Sequence, residues 1–364
     1  MAGARHPAGG AGTPTPEPDV DDTIRLAPAP KKPPLLTSRR AWLAGAGILG
    51  TACLLRGVSS LVLSPRPPPV ATASLPVPLA PTVAHPEARS LATPQAMEIR
   101  AATEQEILRN VATGLTVFRF APDQRILVLD FASLHQQGMM LNRVAALIEK
   151  SGQPRNRVLT AAELAEAIRA GGDTPDTYYY GHDYSAASLR RFFMQVDKEQ
   201  LPLDPEEATL RALLEQVDWF KPDVNGGLIS IPAVGADANV TLSARGTILH
   251  HELSHGMFFG DPDYATFVHG FWEGALTADE RGGVRQFLGS EGYDTAYEEL
   301  MYNEMQAYLM FTRDPEFFMP EHVGMTSARL ADLQGTFLRA MPTGWLQDAL
   351  AATPVIIPAS APGR

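Results

Sequence analysis

The sequence predicts an α+β domain whose C-terminal part is mostly helical. Two short apolar runs, 126–131 and 227–234, have the length and composition of strands. Other segments repeat apolar residues at helical spacing, and two of them begin with the pattern of a capping box. Only helical segments follow the second strand. This order predicts an α/β first half and then a helical remainder.

Seven segments carry the helical pattern, in the order 139–150, 160–170, 185–196, 205–217, 243–259, 277–288 and 294–311. Thr160 with Glu163, and Thr277 with Glu280, match the capping box that starts a helix. Pro232 lies within the second apolar run. Because proline cannot donate a hydrogen bond to a neighbouring strand, it predicts an edge position for that strand.

Composition limits the classes of partner and of metal ligand. The chain has 364 residues and a formal net charge of -11, which argues against a nucleic-acid partner. Its single cysteine, Cys53, excludes an intrachain disulfide. A metal in the folded part must therefore be held by histidine and carboxylate side chains. Composition does not predict the oligomeric state.

The N-terminal third predicts export. Residues 1–36 are rich in Pro, Gly and Ala and are expected to be disordered, and 64–97 form a proline-rich linker. Between them, residues 37–63 contain Arg39-Arg40 followed by an apolar run, and this segment resembles a twin-arginine signal. The resemblance implies a bacterial protein that is periplasmic or anchored to the cytoplasmic membrane facing outward.

Other interpretations of the same segment stay open. The two arginines could be the positive flank of an ordinary signal. If the segment is not cleaved, residues 41–63 are long enough to span a bilayer and would associate the protein with the membrane. Cys53 as a lipid-modified residue is a further alternative. At the other end, residues 351–364 are expected to form a disordered tail.

The most informative motif is His251-Glu252-Leu253-Ser254-His255. Positions i and i+4 of a helix lie on one face, so His251 and His255 can bind one ion together. Glu252 points to the neighbouring side, where a carboxylate can take a proton from water at the metal. The pattern therefore predicts a Zn²⁺ site with Glu252 as the general base.

The third metal ligand has two candidates. Asp261 lies six residues after His255, but Phe258 occupies the position at which a sharp turn would need glycine. Glu304 lies in a helical segment among apolar neighbours, and burying an unpaired carboxylate is costly unless a metal binds it. Glu298 and Glu299 are weaker alternatives in the same segment.

His251, His255 and the downstream Glu304 resemble the gluzincins, zinc peptidases with H-E-x-x-H on one helix and a glutamate ligand on a later helix. The resemblance covers residues 247–311. It implies a zincin-like catalytic domain over 98–350, with His251, His255 and Glu304 as metal ligands and Glu252 as base. It also implies that the strand at 228–231 pairs with an extended peptide substrate.

A tyrosine seven residues before the glutamate ligand stabilises the oxyanion in one branch of the gluzincins. Tyr297 has this offset from Glu304, and Tyr302 and His269 are alternatives for the same role. The aromatic run 178–184 is compatible with a substrate cleft and equally with core packing.

The expected function is thus a zinc-dependent endopeptidase of the bacterial cell envelope, acting on a peptide or protein. Two alternatives stay open: a non-catalytic zincin-fold protein that binds or scaffolds, and a zinc hydrolase of a cell-wall amide.

Overall fold

The computed structural model describes residues 96–352. The predicted N-terminal region and the signal or anchor therefore lie outside the described residues, as do nearly all of the linker and of the C-terminal tail. Within 96–352, none of the helices combines the length and the apolarity needed to cross a bilayer.

The described part of the chain has a mixed α/β fold built on a five-stranded sheet, which is compatible with the predicted α+β class. The strands stand in the order β1-β2-β3-β5-β4, and the pairs β1–β2 and β3–β5 are parallel whereas β2–β3 and β4–β5 are antiparallel. Their bounds are β1 Ile99–Ala102, β2 Thr116–Phe120, β3 Ile126–Phe131, β4 His182–Ser185 and β5 Gly227–Pro232. Every residue of β3 and β5 is buried, as expected for the two apolar runs that predicted them.

The helices of the described range are α1 Glu104–Arg109, α2 Leu134–Ile148, α3 Ala161–Gly171, α4 Ala186–Glu199, α5 Pro205–Gln216, α6 Leu242–Gly260, α7 Pro262–Ala275, α8 Ala278–Ser290, α9 Glu298–Gln306, α10 Ser327–Ala340 and α11 Trp345–Ala351. A π-helical turn, Ala307–Phe311, continues α9, and Pro320–Val323 is a 3₁₀ turn. Both predicted capping boxes, at Thr160 and at Thr277, are present.

Two predicted helices begin more than one residue away from the observed start. α2 begins earlier than predicted because the Ser133 hydroxyl caps it, accepting from the Gln136 amide. α9 begins later than predicted, since Asp294 folds the preceding residues into a turn and accepts the Ala296 amide.

The predicted edge position of the 227–234 strand is wrong. β5 lies between β3 and β4, and β4 forms the edge beside it. β4 pairs with β5 only from Gly227 to Ser230, so Pro232 at the end of β5 lies beyond the last pair and loses no hydrogen bond to β4. The edge at which a peptide could add as a strand therefore belongs to β4, not to residues 228–231.

The sheet separates two apolar cores. On one side α2, α4 and α5 pack against the sheet, and on the other side α6 and the C-terminal helices do so. α6 approaches β5 very closely where Gly227 faces Gly256: a Cβ on Gly227 would lie 2.7 Å from the Gly256 Cα. This pair of glycines places the second half of α6, with His255, directly on the sheet.

A buried ion pair fixes the first half of α6. Arg245 donates to both carboxylate oxygens of Asp130 on β3, at 2.8 and 2.7 Å, and neither side chain is exposed. The same guanidinium donates to the backbone carbonyls of Pro232 and Ile107. One arginine thus joins α6 to β3, to the end of β5 and to α1.

Replacing Arg245 by Met is expected to lower the free energy of unfolding by about 3–5 kcal/mol, because the buried Asp130 carboxylate loses its counter-charge. Urea unfolding of the full-length protein measures the loss. Arg211→Met is the matched control, since the Arg211–Asp197 pair is solvent-exposed and should be worth less than about 1 kcal/mol. Similar losses in both variants would contradict the anchoring role of Arg245.

Candidate metal centre

α6 delivers the two histidines and the glutamate of the motif as predicted from helical spacing. His251 and His255 lie on one face of the helix, with their Nε2 atoms 3.0 Å apart. Both side chains are buried. Glu252, also buried, lies beside them on the same helix.

α9 brings Glu304 to the same point. Its Oε2 lies 3.8 Å from the Nε2 of His251 and 3.8 Å from the Nε2 of His255. These three ligand atoms lie within 4.8 Å of one another, a separation that one metal ion can bridge. The structure therefore brings together the three residues named as ligands from the sequence.

Hydrogen bonds fix the tautomers of both histidines. The Thr312 hydroxyl donates to the Ala307 carbonyl at 3.0 Å, so it accepts from His251 Nδ1 at 2.8 Å. His255 Nδ1 donates to Asn303 Oδ1 at 2.9 Å. In the neutral imidazoles the one proton of each ring then lies on Nδ1, and each Nε2 presents a lone pair to the other. Two acceptors 3.0 Å apart repel each other unless a cation lies between them.

Glu304 adds a negative charge with little compensation from the protein. Burial raises its pKa well above the usual range, and the nearby Asp183 and Glu149 carboxylates raise it further. Neither of its carboxylate oxygens has a hydrogen-bond partner with good geometry, although the Tyr293 hydroxyl is close enough to oppose the shift in pKa. Two neutral imidazoles and one carboxylate are a frequent zinc ligand set, so these residues fit the ion implied by the motif.

Glu252 has the environment of an acid–base group. Burial is the main cause that raises its pKa well above the usual range, and the charges of Asp183, Glu304 and Glu149 add to the effect. Its Oε2 has no hydrogen-bond partner. A carboxylate with a raised pKa can both accept a proton near neutral pH and return it.

The loop before β4 covers this site. The backbone of Gly181 lies so close to the Glu252 carboxylate that a Cβ there would overlap it. Side chains of α2 hold the loop in place: Gln137 donates to the Tyr180 carbonyl at 2.9 Å, and Asn142 donates to the Pro175 carbonyl at 2.8 Å. The aromatic run 178–184 therefore packs in the core and also closes the site.

Tyr297, predicted to stabilise the oxyanion, lies apart from the three candidate ligands. It is 50% exposed at the residue before α9, and in the described range no hydrogen bond, ion pair or ring contact joins it to them. Three buried tyrosines lie near Glu304 instead, namely Tyr179, Tyr293 and Tyr308, and the Tyr308 ring contacts the His251 ring at 4.8 Å. The alternatives Tyr302 and His269 stack on each other at 4.8 Å and line a cavity of about 340 Å³ with Glu299.

The other acids considered as ligands have different partners. Asp261 caps α7 by accepting from the amides of Asp263 and Tyr264, and it pairs with Arg125. Glu298 pairs with Arg285 and accepts from the Trp272 indole. Both carboxylates are therefore occupied away from the histidines.

Several residues of the site were not predicted. Asn303 and Thr312 orient the histidines, and Asp183 and Glu149 add buried negative charge beside Glu252 and Glu304. Asn303 precedes Glu304 directly, which is a usable signal for a residue on the same helix. Asp183 and Glu149 are distant in sequence and carry no such signal. Comparisons with protein families, with curated proteins and with solved structures found no match for this chain.

Proposed function

We propose that this chain is a zinc-dependent endopeptidase whose metal is held by His251, His255 and Glu304. The observation that carries the proposal is the convergence of two Nε2 lone pairs and one buried carboxylate on a single point. No lysine or arginine of the described residues forms an ion pair with Glu304, and neutral imidazoles cannot balance its charge, so a metal ion would account for the arrangement.

The chain's own residues have defined tasks in this proposal. Zinc, when bound, polarises water and the substrate carbonyl. Glu252 accepts a proton from the attacking water and returns it to the leaving amine. Thr312 and Asn303 keep the imidazoles in the tautomer that binds metal. Tyr297 can take part only if it turns inward when substrate binds, whereas Tyr293 already lies next to Glu304.

Location in the cell envelope is part of the proposal and is supported by Arg39-Arg40 and the apolar run that follows. A peptide or protein substrate agrees with the position of β4 next to the site, since β4 is an edge strand of the sheet in the described residues and an extended peptide can add to an edge strand.

Metal removal tests the proposal directly. Elemental analysis of the purified full-length protein is expected to find one zinc ion per chain, and hydrolysis of a peptide library is expected to stop on dialysis against a chelator and to return with Zn²⁺. Protein without zinc, or hydrolysis that is unaffected by chelation, would contradict it.

A non-catalytic zinc protein is the second candidate, and the closeness of Gly181 to Glu252 favours it, because a covered base has little access to substrate. The same assay separates the two candidates. Stoichiometric zinc without hydrolysis of any peptide identifies the binding or scaffolding protein.

A further inference from the structure

Asp183 is a carboxylate of the site for which the zinc mechanism has no use, and its side chain is 11% exposed. It lies on β4 opposite Ile229, whose side chain packs in the core on the α6 side of the sheet. Asp183 therefore faces the metal centre, whereas the adjacent Tyr184 belongs to the opposite core. One ligand atom each of Asp183, Glu252 and His255 lie within 4.8 Å of one another.

The protein supplies Asp183 with one basic neighbour. His255 Nδ1 is 3.8 Å from Asp183 Oδ1, and no lysine or arginine in residues 96–352 forms an ion pair with this carboxylate. His255 Nδ1 already donates to Asn303, and an imidazole that binds zinc is neutral. Once the metal is bound, Asp183 has no cationic partner.

Glu149, the other unassigned acid, has partners of its own. It accepts from the Tyr184 hydroxyl at 3.2 Å, and the charges of Arg155 and Lys150 act on it favourably. Glu252 resembles Asp183 in lacking such a partner, since its Oε2 is buried and has no hydrogen-bond partner. Among residues 96–352, neither Asp183 nor Glu252 thus forms an ion pair with a lysine or arginine, and both carboxylates lie beside the point where substrate would be cleaved.

A second metal ion does not fit between the Asp183 and Glu252 carboxylates. His255 directs Nε2 to the first metal site and Nδ1 to Asn303, so the gap offers only two carboxylates. An ammonium group has three donors, no need of further protein ligands, and a full positive charge.

We infer that Asp183, together with the free oxygen of Glu252, binds an ammonium group of the substrate next to the scissile bond. This inference rests on the proposed zinc peptidase and names its substrate class. The ammonium is either the free N-terminus of a peptide or a lysine side chain beside the cleaved bond. If the ammonium is the N-terminus, the enzyme removes N-terminal residues. If it is a lysine side chain, the enzyme cleaves internal bonds next to lysine.

Isothermal titration of the zinc-loaded full-length protein with hydroxamates tests the inference. Hydroxamates bind zinc whether or not the protein is catalytic, so binding is measured independently of turnover. Leucine hydroxamate against N-acetylleucine hydroxamate probes the α-ammonium. Nα-acetyllysine hydroxamate against N-acetylnorleucine hydroxamate probes the side-chain ammonium.

In one of these pairs, the ammonium probe is expected to bind about tenfold tighter or more than its uncharged match, the size that a charge-assisted hydrogen bond supports. Asp183→Asn should reduce this ratio to below about twofold, with zinc content and binding of the uncharged probe unchanged. Asp223→Asn, the same change at an exposed acid, should keep the full ratio.

The inference is overturned if the charged and the uncharged hydroxamate of each pair bind equally well. It is also overturned if Asp183→Asn keeps the tighter binding of the charged probe. Either result leaves the zinc site intact. If the uncharged hydroxamates also fail to bind and no zinc is found, the proposed function itself fails, and the inference fails with it.

Discussion

Glu252→Gln is expected to keep one zinc ion per chain and to lower kcat/KM for peptide hydrolysis by about 10²–10⁴-fold. The amide has the shape of the carboxylate but cannot accept the proton of the attacking water. Glu252 is not among the residues whose ligand atoms converge with Glu304, so zinc should stay bound. Zinc analysis and steady-state kinetics on the same preparation measure both effects.

Glu299→Gln provides the control for the loss of a carboxylate near the site. Glu299 is exposed and lines the neighbouring cavity, so this variant should keep most of the activity. Full activity in Glu252→Gln would remove Glu252 from the role of base and leave the metal site in place.

Glu304→Ala is expected to weaken zinc binding by more than about 100-fold. Loss of a residue that only hydrogen-bonds to a metal ligand lowers metal affinity by about 10–100-fold, and here a proposed ligand itself is lost. Competition with a chromophoric chelator measures this affinity. Without metal, the same variant should be at least as stable to urea as the wild-type protein, since it removes a buried carboxylate that lacks a good partner.

A loss of zinc affinity without a loss of stability in the metal-free protein distinguishes a metal ligand from a structural residue. Added zinc stabilises the protein according to its affinity, so zinc should raise the unfolding free energy of the wild type and leave Glu304→Ala nearly unchanged. Glu299→Ala should behave as the wild type does. Unaltered zinc affinity in Glu304→Ala would refute the assignment of the third ligand.

Sequence reasoning reached the three proposed ligands because each lies on a helix with a strong local pattern. Helical spacing alone puts His251 and His255 on one face, and an acid among apolar neighbours is unusual enough to single out Glu304. Helices α3 and α8 were predicted from capping boxes, which act within four consecutive residues.

Features that depend on long-range packing were not predictable in this way. β4 is four residues long and contains His182 and Asp183, so neither length nor hydrophobicity marks it as a strand. The wrong edge position for β5 came from Pro232, which lies beyond the residues of β5 that pair with β4. The π-helical turn after α9, which brings Thr312 to His251, likewise has no signal in the local pattern.

The loop that Gln137 and Asn142 hold over the site has a kinetic consequence. If zinc binds as proposed, an ion beneath this loop is expected to leave only as fast as the loop detaches from α2, which is a local opening far smaller than global unfolding. The rate of metal exchange would then measure the frequency of that opening.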